Sequence, residues 1–326
     1  MCASKTMQAL LLLLCACDSA RSLRLMGNSA TPPPEQSLFF SRASRSEHVP
    51  TPEELMTLFQ AKLEREANES SLPLPERVQL MIGLMATQNK TEPGILNVHR
   101  ATWMNRSGIC PALNGPQPGC TIYVAFVFGD TRQSERASSP DELFLNHTEN
   151  MERGKTFDFF HYTSRAYSWS THIGKMDLDA FPYVHRLTNS LDRHLDRERQ
   201  DNCSAYFGLP MDYSRCGMAG FCPPMECGLP LNGNFRQYES DSPDCWSYMQ
   251  GGLYILSTSL ARGASIENGT WDTRKKNCED LLAGHVVAQY AKENDACVDT
   301  WDSLEAFDHL PSQRLHKESN RIPLKQ

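Results

Sequence analysis

The chain lacks an excess of positive charge, and this absence excludes one large class of partners. Its formal net charge is −7 at pH 7, and no basic stripe runs through the sequence. Proteins that bind nucleic acid through its phosphates concentrate lysine and arginine on one face. We therefore expect no nucleic-acid partner for this chain.

Long hydrophobic runs are absent beyond the N-terminus. The apolar stretch from Met7 to Cys17 follows Lys5 and is too short to span a bilayer comfortably. A basic start, a short leucine core and small residues at its end resemble a secretory signal peptide, with an uncleaved signal-anchor as the alternative. In either case we expect the rest of the chain to face the secretory lumen, with contact to the membrane only through the leader if it is uncleaved.

No two cysteines form the Cys-x-x-Cys pair that is common in zinc knuckles. Nine of the 12 cysteines follow the leader, and in an oxidising compartment we expect most of them to form disulfides. The odd number leaves at least one thiol that is free or pairs with another chain. Zinc bound by Cys216, Cys222 and Cys227 is the alternative. Six glycosylation acceptors of the Asn-x-Ser/Thr type agree with a luminal address: Asn68, Asn89, Asn105, Asn146, Asn202 and Asn268.

The composition, 40% apolar and 22% charged over 326 residues, is that of an ordinary globular protein. We divide the chain into a leader (1–17), a stem with one helix (18–74), one α/β domain (75–310) and a loose tail (311–326). The helix of the stem begins at Thr51 and Pro52, a capping threonine followed by a helix-starting proline. Its apolar residues have helical spacing, so we expect it to pack on another element, with a helix of the stem alone as the alternative. Within the domain, residues 203–245 are rich in Gly, Pro and Cys, which predicts a disulfide-stapled insertion.

The first part of the domain alternates between strand and helix patterns. Val78–Ala86 and Thr121–Phe128 are nearly continuous apolar runs, as buried parallel strands require, and a third strand runs into Asp177. Helical spacing lies between them, over Ile95–Met104 and Phe157–Ser168. This alternation of strands and helices predicts an α/β fold with a Rossmann-like, nucleotide-binding sheet.

Two further segments of the domain are predominantly polar. Ser138–Asn150 reads as a loop that contains a helix at most. Tyr183–Asp201 reads as a polar helix whose charges form a solvated face.

Asp177 and Asp179 lie at the end of the third strand, just before Pro182. In an extended segment a spacing of two points both carboxylates to the same side. Two hard oxygen ligands suit a divalent cation such as Mg²⁺ or Mn²⁺, which can hold a diphosphate. Such a pair also arises by chance, so its meaning depends on the motifs around it.

Seven motifs occur in the order found in one known family: Val78 to Ala86, Arg100 with Thr102-Trp103, Phe126 to Gly129, Gly154-Lys155-Thr156, Lys175 to Asp179, Tyr248 to Ser257, and Glu279 to Gly284. Between Pro75 and His309 the chain thus resembles the metal-dependent, inverting β1,3-glycosyltransferases that use UDP-galactose or UDP-N-acetylglucosamine. It looks closest to the trypanosomatid branch. It departs from the family at Leu178, where a third acid is common, and at Leu282, where an aromatic residue is usual.

The resemblance implies a GT-A-like domain that moves galactose or N-acetylglucosamine from a UDP-sugar to a glycan hydroxyl. The implied cofactor is Mn²⁺ or Mg²⁺ on Asp177 and Asp179, with His309 as third ligand and His285 and His316 as alternatives. The implied general base is Asp280. The implied location of the protein is the Golgi lumen, where it would be a type II membrane protein; with the leader cleaved, it would be secreted.

Other residues have two interpretations each. Arg100 is expected either to hold a phosphate or the uridine end of the donor, or to lie on a solvated helix face. Lys155 and Lys175 are candidates for contacts with the donor phosphates, or for pairs with local acids. Trp246, Tyr248 and Tyr254 stack on a sugar or belong to the core. Glu279 is the alternative base, and both acids of the pair also fit a plain helix N-terminus.

Two other functions compete with glycosyl transfer. One is a catalytically inactive, secreted, disulfide-stapled protein that binds carbohydrate or mediates adhesion. The other is a metal-dependent hydrolase, which would need a larger cluster of His and Asp ligands than the strands near Asp177 supply.

Overall fold

The computed structural model describes residues 50–67, 72–87, 92–129, 139–147, 149, 154–216, 221–274, 278–302 and 305–309. The predicted leader, most of the predicted stem, two glycosylation acceptors, His316 and the predicted tail lie outside these residues. Within the described part of the chain, no helix combines the length and apolarity needed to cross a membrane.

A central sheet of eight strands organises the chain, in the order β2-β3-β1-β5-β8-β7-β9 with β4 beside β3. Its strands are Leu80–Met85 (β1), Ile109–Pro111 (β2), Ile122–Gly129 (β3), Glu142–Leu145 (β4), His172–Asp177 (β5), Ser204–Met211 (β7), Tyr248–Ser257 (β8) and Val298–Asp302 (β9). Two short strands, Ala180–Pro182 (β6) and Phe307–His309 (β10), form a separate antiparallel pair.

The pairing is mostly parallel. β1 runs parallel to β3 and β5, β3 runs parallel to β2 and β4, and β7 runs parallel to β9. Only β8 is antiparallel to its neighbours β5 and β7 within this sheet. The apolar runs that predicted parallel strands are buried along their whole length in β1 and β3. The predicted α/β class with a Rossmann-like sheet is therefore confirmed.

Helices cover both faces of the sheet: Pro52–Glu66 (α1), Glu92–Ala101 (α2), Lys155–Ala166 (α3), Val184–Asp201 (α4), Thr258–Ala264 (α5), Thr270–Thr273 (α6) and Glu279–Glu293 (α7). Along β1 alternate side chains enter two cores, as strand geometry demands. Met81 lies in the core beneath α3, α5 and α7, and Ile82 lies in the core beneath α1, α2 and α4.

Helix α1 belongs to the domain and not to the stem. It starts at the predicted capping threonine with a capping box, in which Glu54 N donates to Thr51 Oγ1 at 3.3 Å and Thr51 N donates to Glu54 Oε2 at 2.8 Å. Phe59 is fully buried, and its ring lies edge-on to those of His99 and Phe181. The predicted boundary at residue 75 is therefore too late.

Three further predictions need correction. Residues 142–145 form strand β4 and not a helix, since alternate residues Leu143 and Leu145 are buried. Helix α4 has a buried apolar face, including Leu187 and Leu191, so it is more than a solvated surface. The predicted insertion at 203–245 begins too early, because Ser204–Met211 is a strand of the central sheet. The high cysteine content of this segment concealed the strand pattern that follows Cys203.

Four disulfides confirm the prediction of an oxidised cysteine set: Cys110–Cys120, Cys203–Cys297, Cys216–Cys222 and Cys227–Cys245. The alternative of a zinc site is wrong, because its three proposed ligands are divided between two different disulfides. Cys278 is the cysteine left outside these pairs in the described chain. The four acceptor asparagines that the structure describes are exposed.

Candidate metal and catalytic site

Three side chains suited to metal binding converge where β5 ends. Asp177 is the last residue of β5, and Asp179 lies two residues further on, before β6 begins. Strand β10 pairs with β6 and places His309 opposite Ala180. As a result, His309 Nε2 lies 3.0 Å from Asp179 Oδ1 and 3.9 Å from Asp177 Oδ2. One ligand atom from each of the three residues lies within 4.8 Å of the others.

The position of this cluster follows from the sheet. β5 lies between β1 and β8, and its carboxyl end shares an edge with those of β1 and β3, where open α/β sheets bind ligands. The neighbouring strand leaves the necessary space at Gly252. A Cβ atom on that residue would lie 2.7 Å from His309 Cγ, which is closer than real contacts allow.

The charges of the three residues are coupled. Burial raises the pKa of Asp177 above its ordinary value, although the charge of Lys175 opposes this shift. Burial also disfavours the ionised form of Asp179, but the hydrogen bond and the charge of His309, together with a backbone hydrogen bond and the charge of Lys175, outweigh it and lower the pKa of Asp179. Burial lowers the pKa of His309, but its hydrogen bond with Asp179 and the charges of Asp179 and Asp177 together more than reverse this, so the net shift is upward. The hydrogen bond and the opposite charges therefore favour the ionised forms of both His309 and Asp179.

The donor set fits a divalent cation. Carboxylate oxygens suit Mg²⁺ and Mn²⁺, and an imidazole nitrogen favours the transition metal of the two. Binding would displace the proton that His309 shares with Asp179, as metal binding to histidine requires.

A second group of side chains meets at Gly251. Lys175 is buried, and its Nζ lies 2.7 Å from Asp177 Oδ1 and 2.5 Å from Glu279 Oε1. It also donates to Gly251 O at 2.7 Å. Tyr254 Oη donates to Glu279 Oε2 at 2.9 Å, so both oxygens of Glu279 are engaged. Lys175 thus links the predicted metal ligand Asp177 to the first turn of α7.

Asp280 lies beside this group and is the less constrained of the two acids. A Cβ atom on Gly251 would lie 3.6 Å from Asp280 Oδ2 and 3.4 Å from Lys175 Nζ. Asp280 Oδ1 accepts a hydrogen bond from Leu281 N at 2.8 Å, which is the helix-terminal role named as the alternative. Burial, followed by the charge of Glu279, raises the pKa of Asp280 to about 6. A carboxylate with such a pKa is suited to accept a proton near neutral pH.

Arg100 is engaged elsewhere. Its guanidinium donates to both oxygens of Asp141, at 2.7 and 3.0 Å, and to Glu142 Oε1 at 2.9 Å. It also lies over the ring of Phe126, 4.9 Å from the centroid. This fork ties α2 to the start of β4. A role in binding the donor would require Arg100 to exchange these partners.

Lys155 is fully buried and pairs with a local acid. Its Nζ lies 2.8 Å from Glu149 Oε1 and also donates to the carbonyl of Ala86. Glu149 in turn accepts from Gly129 N at 2.7 Å. Lys155 therefore joins the carboxyl ends of β1 and β3, at the ligand-binding edge, while its ammonium is already paired.

The other candidates fall outside the cluster. His285 packs against Phe221 and Trp246, and it is not among the ligand atoms that converge on Asp177. Trp246, Tyr248 and Tyr254 are buried, which favours the core interpretation over stacking on a sugar. A residue that no sequence pattern indicates is His99, whose ring contacts the turn between Asp177 and Asp179.

Comparison with known proteins adds little to this description. No family model and no curated protein matches the chain. Among solved structures, the 2-C-methyl-D-erythritol 4-phosphate cytidylyltransferase from Thermus thermophilus is similar over 75% of this chain and 99% of its own. The two share 12% sequence identity with a TM-score of 0.31, and a likeness of that extent says nothing about activity. The site and the sheet alone define an α/β protein with a carboxylate–imidazole cluster at the carboxyl end of its strands.

Proposed function

We propose that the chain is a hexosyltransferase that moves galactose or N-acetylglucosamine from a UDP-sugar to a glycan hydroxyl. The linkage made would be β1,3 with inversion at the anomeric carbon, as the resemblance in sequence implies. The observation that carries the proposal is the convergence of Asp177, Asp179 and His309, next to the buried group of Lys175, Glu279 and Asp280.

The ligand residues fit the needs of a diphosphate leaving group. Asp177, Asp179 and His309 would hold Mn²⁺ or Mg²⁺. The bound ion would neutralise charge on the departing UDP, an effect worth several kcal/mol in metal-dependent enzymes. Lys175 adds a buried positive charge that contacts Asp177 directly, at 2.7 Å. It orients this carboxylate and limits its repulsion from Asp179.

Asp280 supplies the base. Inversion requires one carboxylate on the face of the sugar opposite the leaving group. Asp280 would take the proton of the acceptor hydroxyl as that oxygen attacks the anomeric carbon. Its pKa of about 6 keeps it ionised at pH 7 and basic enough to help. Glu279 is a weaker candidate, because Lys175 and Tyr254 occupy both of its oxygens.

The same proposal covers the compartment and the acceptor. Four disulfides and exposed glycosylation acceptors favour the lumen of the secretory pathway, with the Golgi as the expected site. The acceptor would then be a glycan on a glycoprotein or glycolipid.

Thermal unfolding with ligands tests the proposal. The chain is heated alone, with UDP, with Mn²⁺, and with both together. Ligand that binds only the folded state stabilises it by about 2.7 kcal/mol at 100 times its Kd. We expect the largest shift with UDP and Mn²⁺ together, and its loss in Asp177→Ala/Asp179→Ala.

A matched control shows whether the effect is specific to these two aspartates or follows from the loss of any surface aspartate. Asp241 is exposed and lies in the cysteine-rich segment, so Asp241→Ala should respond to UDP and Mn²⁺ as the wild type does. Donor screening by release of UDP then identifies the sugar. Absence of any stabilisation by UDP with Mn²⁺ would favour the inactive carbohydrate-binding alternative.

A further inference from the structure

We infer that His99 is a positioning residue, which fixes the turn carrying the two carboxylates of the proposed metal site. It acts through the backbone of Leu178, the single residue between Asp177 and Asp179. This inference rests on the proposed function, since it concerns the same site.

The contact is direct and buried. His99 lies on α2 and is fully buried, and its Nε2 lies 2.8 Å from the carbonyl oxygen of Leu178. That oxygen belongs to the peptide group joining Leu178 to Asp179. Because a carbonyl can only accept, the Nε2 atom carries the proton and donates it. The hydrogen bond therefore sets the plane of the peptide that leads into Asp179.

A second hydrogen bond fixes the imidazole itself. Trp103 Nε1 lies 2.8 Å from His99 Nδ1, and an indole nitrogen can only donate. His99 is therefore neutral, with its proton on Nε2, and both nitrogens are used. The rings of Phe59 and Phe126 pack edge-on around it, with centroids 5.2 and 6.2 Å away. The ring cannot turn without losing both hydrogen bonds.

The turn needs such a support. The turn carries two carboxylates that must converge on one cation, so the orientation of its peptide groups decides where both ligands point. Groups that orient metal ligands from outside the coordination shell typically change metal affinity about 10- to 100-fold when removed. His99 is suited to this role because it reaches the turn from the rigid core beneath α2.

The test measures Mn²⁺ binding to the metal-free chain by calorimetry, with no substrate and no turnover. His99→Leu removes the donor, and we expect the Kd for Mn²⁺ to rise about 10- to 100-fold. His99→Gln offers an amide that can donate to Leu178 and accept from Trp103, so we expect affinity close to that of the wild type. Phe59→Leu removes packing around His99 without removing either hydrogen bond. It should lower the melting temperature and leave the affinity unchanged.

The outcomes distinguish a failure of the positioning role from a failure of the proposed function. Wild-type affinity in folded His99→Leu, or equal losses in His99→Leu and His99→Gln, would overturn the positioning role alone. If His99→Leu does not fold, Trp103→Phe replaces it. That variant removes the donor to Nδ1, and we expect it to weaken Mn²⁺ binding several-fold; unchanged affinity would overturn the inference. A wild-type chain that binds no Mn²⁺ would overturn the proposed function and this inference together.

Discussion

Lys62 and Asp308 form an ion pair across 246 positions of sequence, between α1 and the strand that carries His309. The side chain of Lys62 is 4% exposed and that of Asp308 is 29% exposed. Tyr183 Oη also donates to Asp308, at 2.6 Å. Although burial opposes ionisation of Asp308, these two hydrogen bonds lower its pKa. The first helix of the domain is thereby tied to the residue preceding a candidate metal ligand.

Replacing Lys62 by methionine should loosen both elements. The substitution leaves the carboxylate of Asp308 with Tyr183 alone, and removing one partner of a buried pair costs roughly 3 kcal/mol or more. The measurement is the free energy of unfolding in urea. Gln60→Met changes an exposed residue of the same helix and should stay within about 0.5 kcal/mol of the wild type. Equal stability of the two variants would show that α1 contributes nothing to holding β10.

The ion pair of Lys62 and Asp308 is also an example of a contact that the sequence does not predict. Strands β1 and β3 are predictable because buried parallel strands require nearly uninterrupted apolar runs, which are a local signal, and β5 is predictable as the short strand that runs into Asp177. The apolar spacing of α1 predicts that it packs on another element, but the element itself is not predictable, because the partners of Phe59 and Lys62 lie far away in sequence. Proline-rich and charged surroundings made the helix look like part of a stem.

The candidate site likewise contains residues that the local sequence indicates and residues that depend on distant contacts. The Asp177 and Asp179 pair is visible locally as two acids at a strand end. The choice of His309 over His285 rested on the family's spacing, and the pairing of β10 with β6 supplies its physical reason. His99 could not be predicted, because a buried histidine on an apolar helix face looks like any core residue. Arg100 and Lys155 were chosen for their charge, whereas the acids that neutralise them come from other elements.

Gly252 should prove essential for the third metal ligand. In Gly252→Ala the new methyl group would overlap His309, at 2.7 Å from Cγ and 2.9 Å from Cβ, so the imidazole must move away from Asp179. We expect a loss of Mn²⁺ affinity of about 10-fold or more. Gly251→Ala is the matched control, since its new methyl group would make only ordinary contacts, the nearest with Lys175 Nζ at 3.4 Å. Calorimetry with Mn²⁺ alone should show a much smaller change for that variant, and equal losses would refute the steric argument.

Asp280 predicts a pH profile for the proposed transfer. The base must be ionised, and burial raises its pKa to about 6. The value of kcat/KM should therefore fall about tenfold per pH unit below pH 6 and level off above it. Asp280→Asn should lower kcat by about 10²- to 10⁴-fold while UDP and Mn²⁺ still bind. If the acidic limb of the profile survived in this variant, another group would have to be the base.

His99 predicts a separate pH effect on stability. Burial lowers its pKa in the folded chain to about 4, although the hydrogen bond to Leu178 opposes the shift. The unfolded chain binds the proton near pH 6.5, so stability is lost as the pH falls from there towards the folded-state value and changes little further below it. Relative to His99→Gln, the wild type should lose about 2 kcal/mol between pH 7 and pH 5. Urea unfolding of both chains at each pH measures this difference, in which the other histidines cancel. A difference independent of pH would mean that His99 titrates normally.

The disulfide between Cys203 and Cys297 should stabilise the fold far more than the one between Cys216 and Cys222. The first closes 94 residues and joins the start of β7 to the start of β9, whereas the second closes 6. In the chain-entropy view, a long loop contributes about 4 to 5 kcal/mol and a very short one about 2 kcal/mol.

Paired alanine variants test this difference in guanidinium unfolding. Cys203→Ala/Cys297→Ala should lower the unfolding free energy by about 2 kcal/mol more than Cys216→Ala/Cys222→Ala. The two strands that this longer bridge connects are parallel, β9 is an edge strand of the sheet and β7 is its neighbour, and α7 lies between them in sequence. Their pairing requires closure of a long loop, and the covalent bond keeps that loop closed in the unfolded chain as well. If the two double variants lost the same unfolding free energy, loop length would not determine how much each disulfide stabilises the fold.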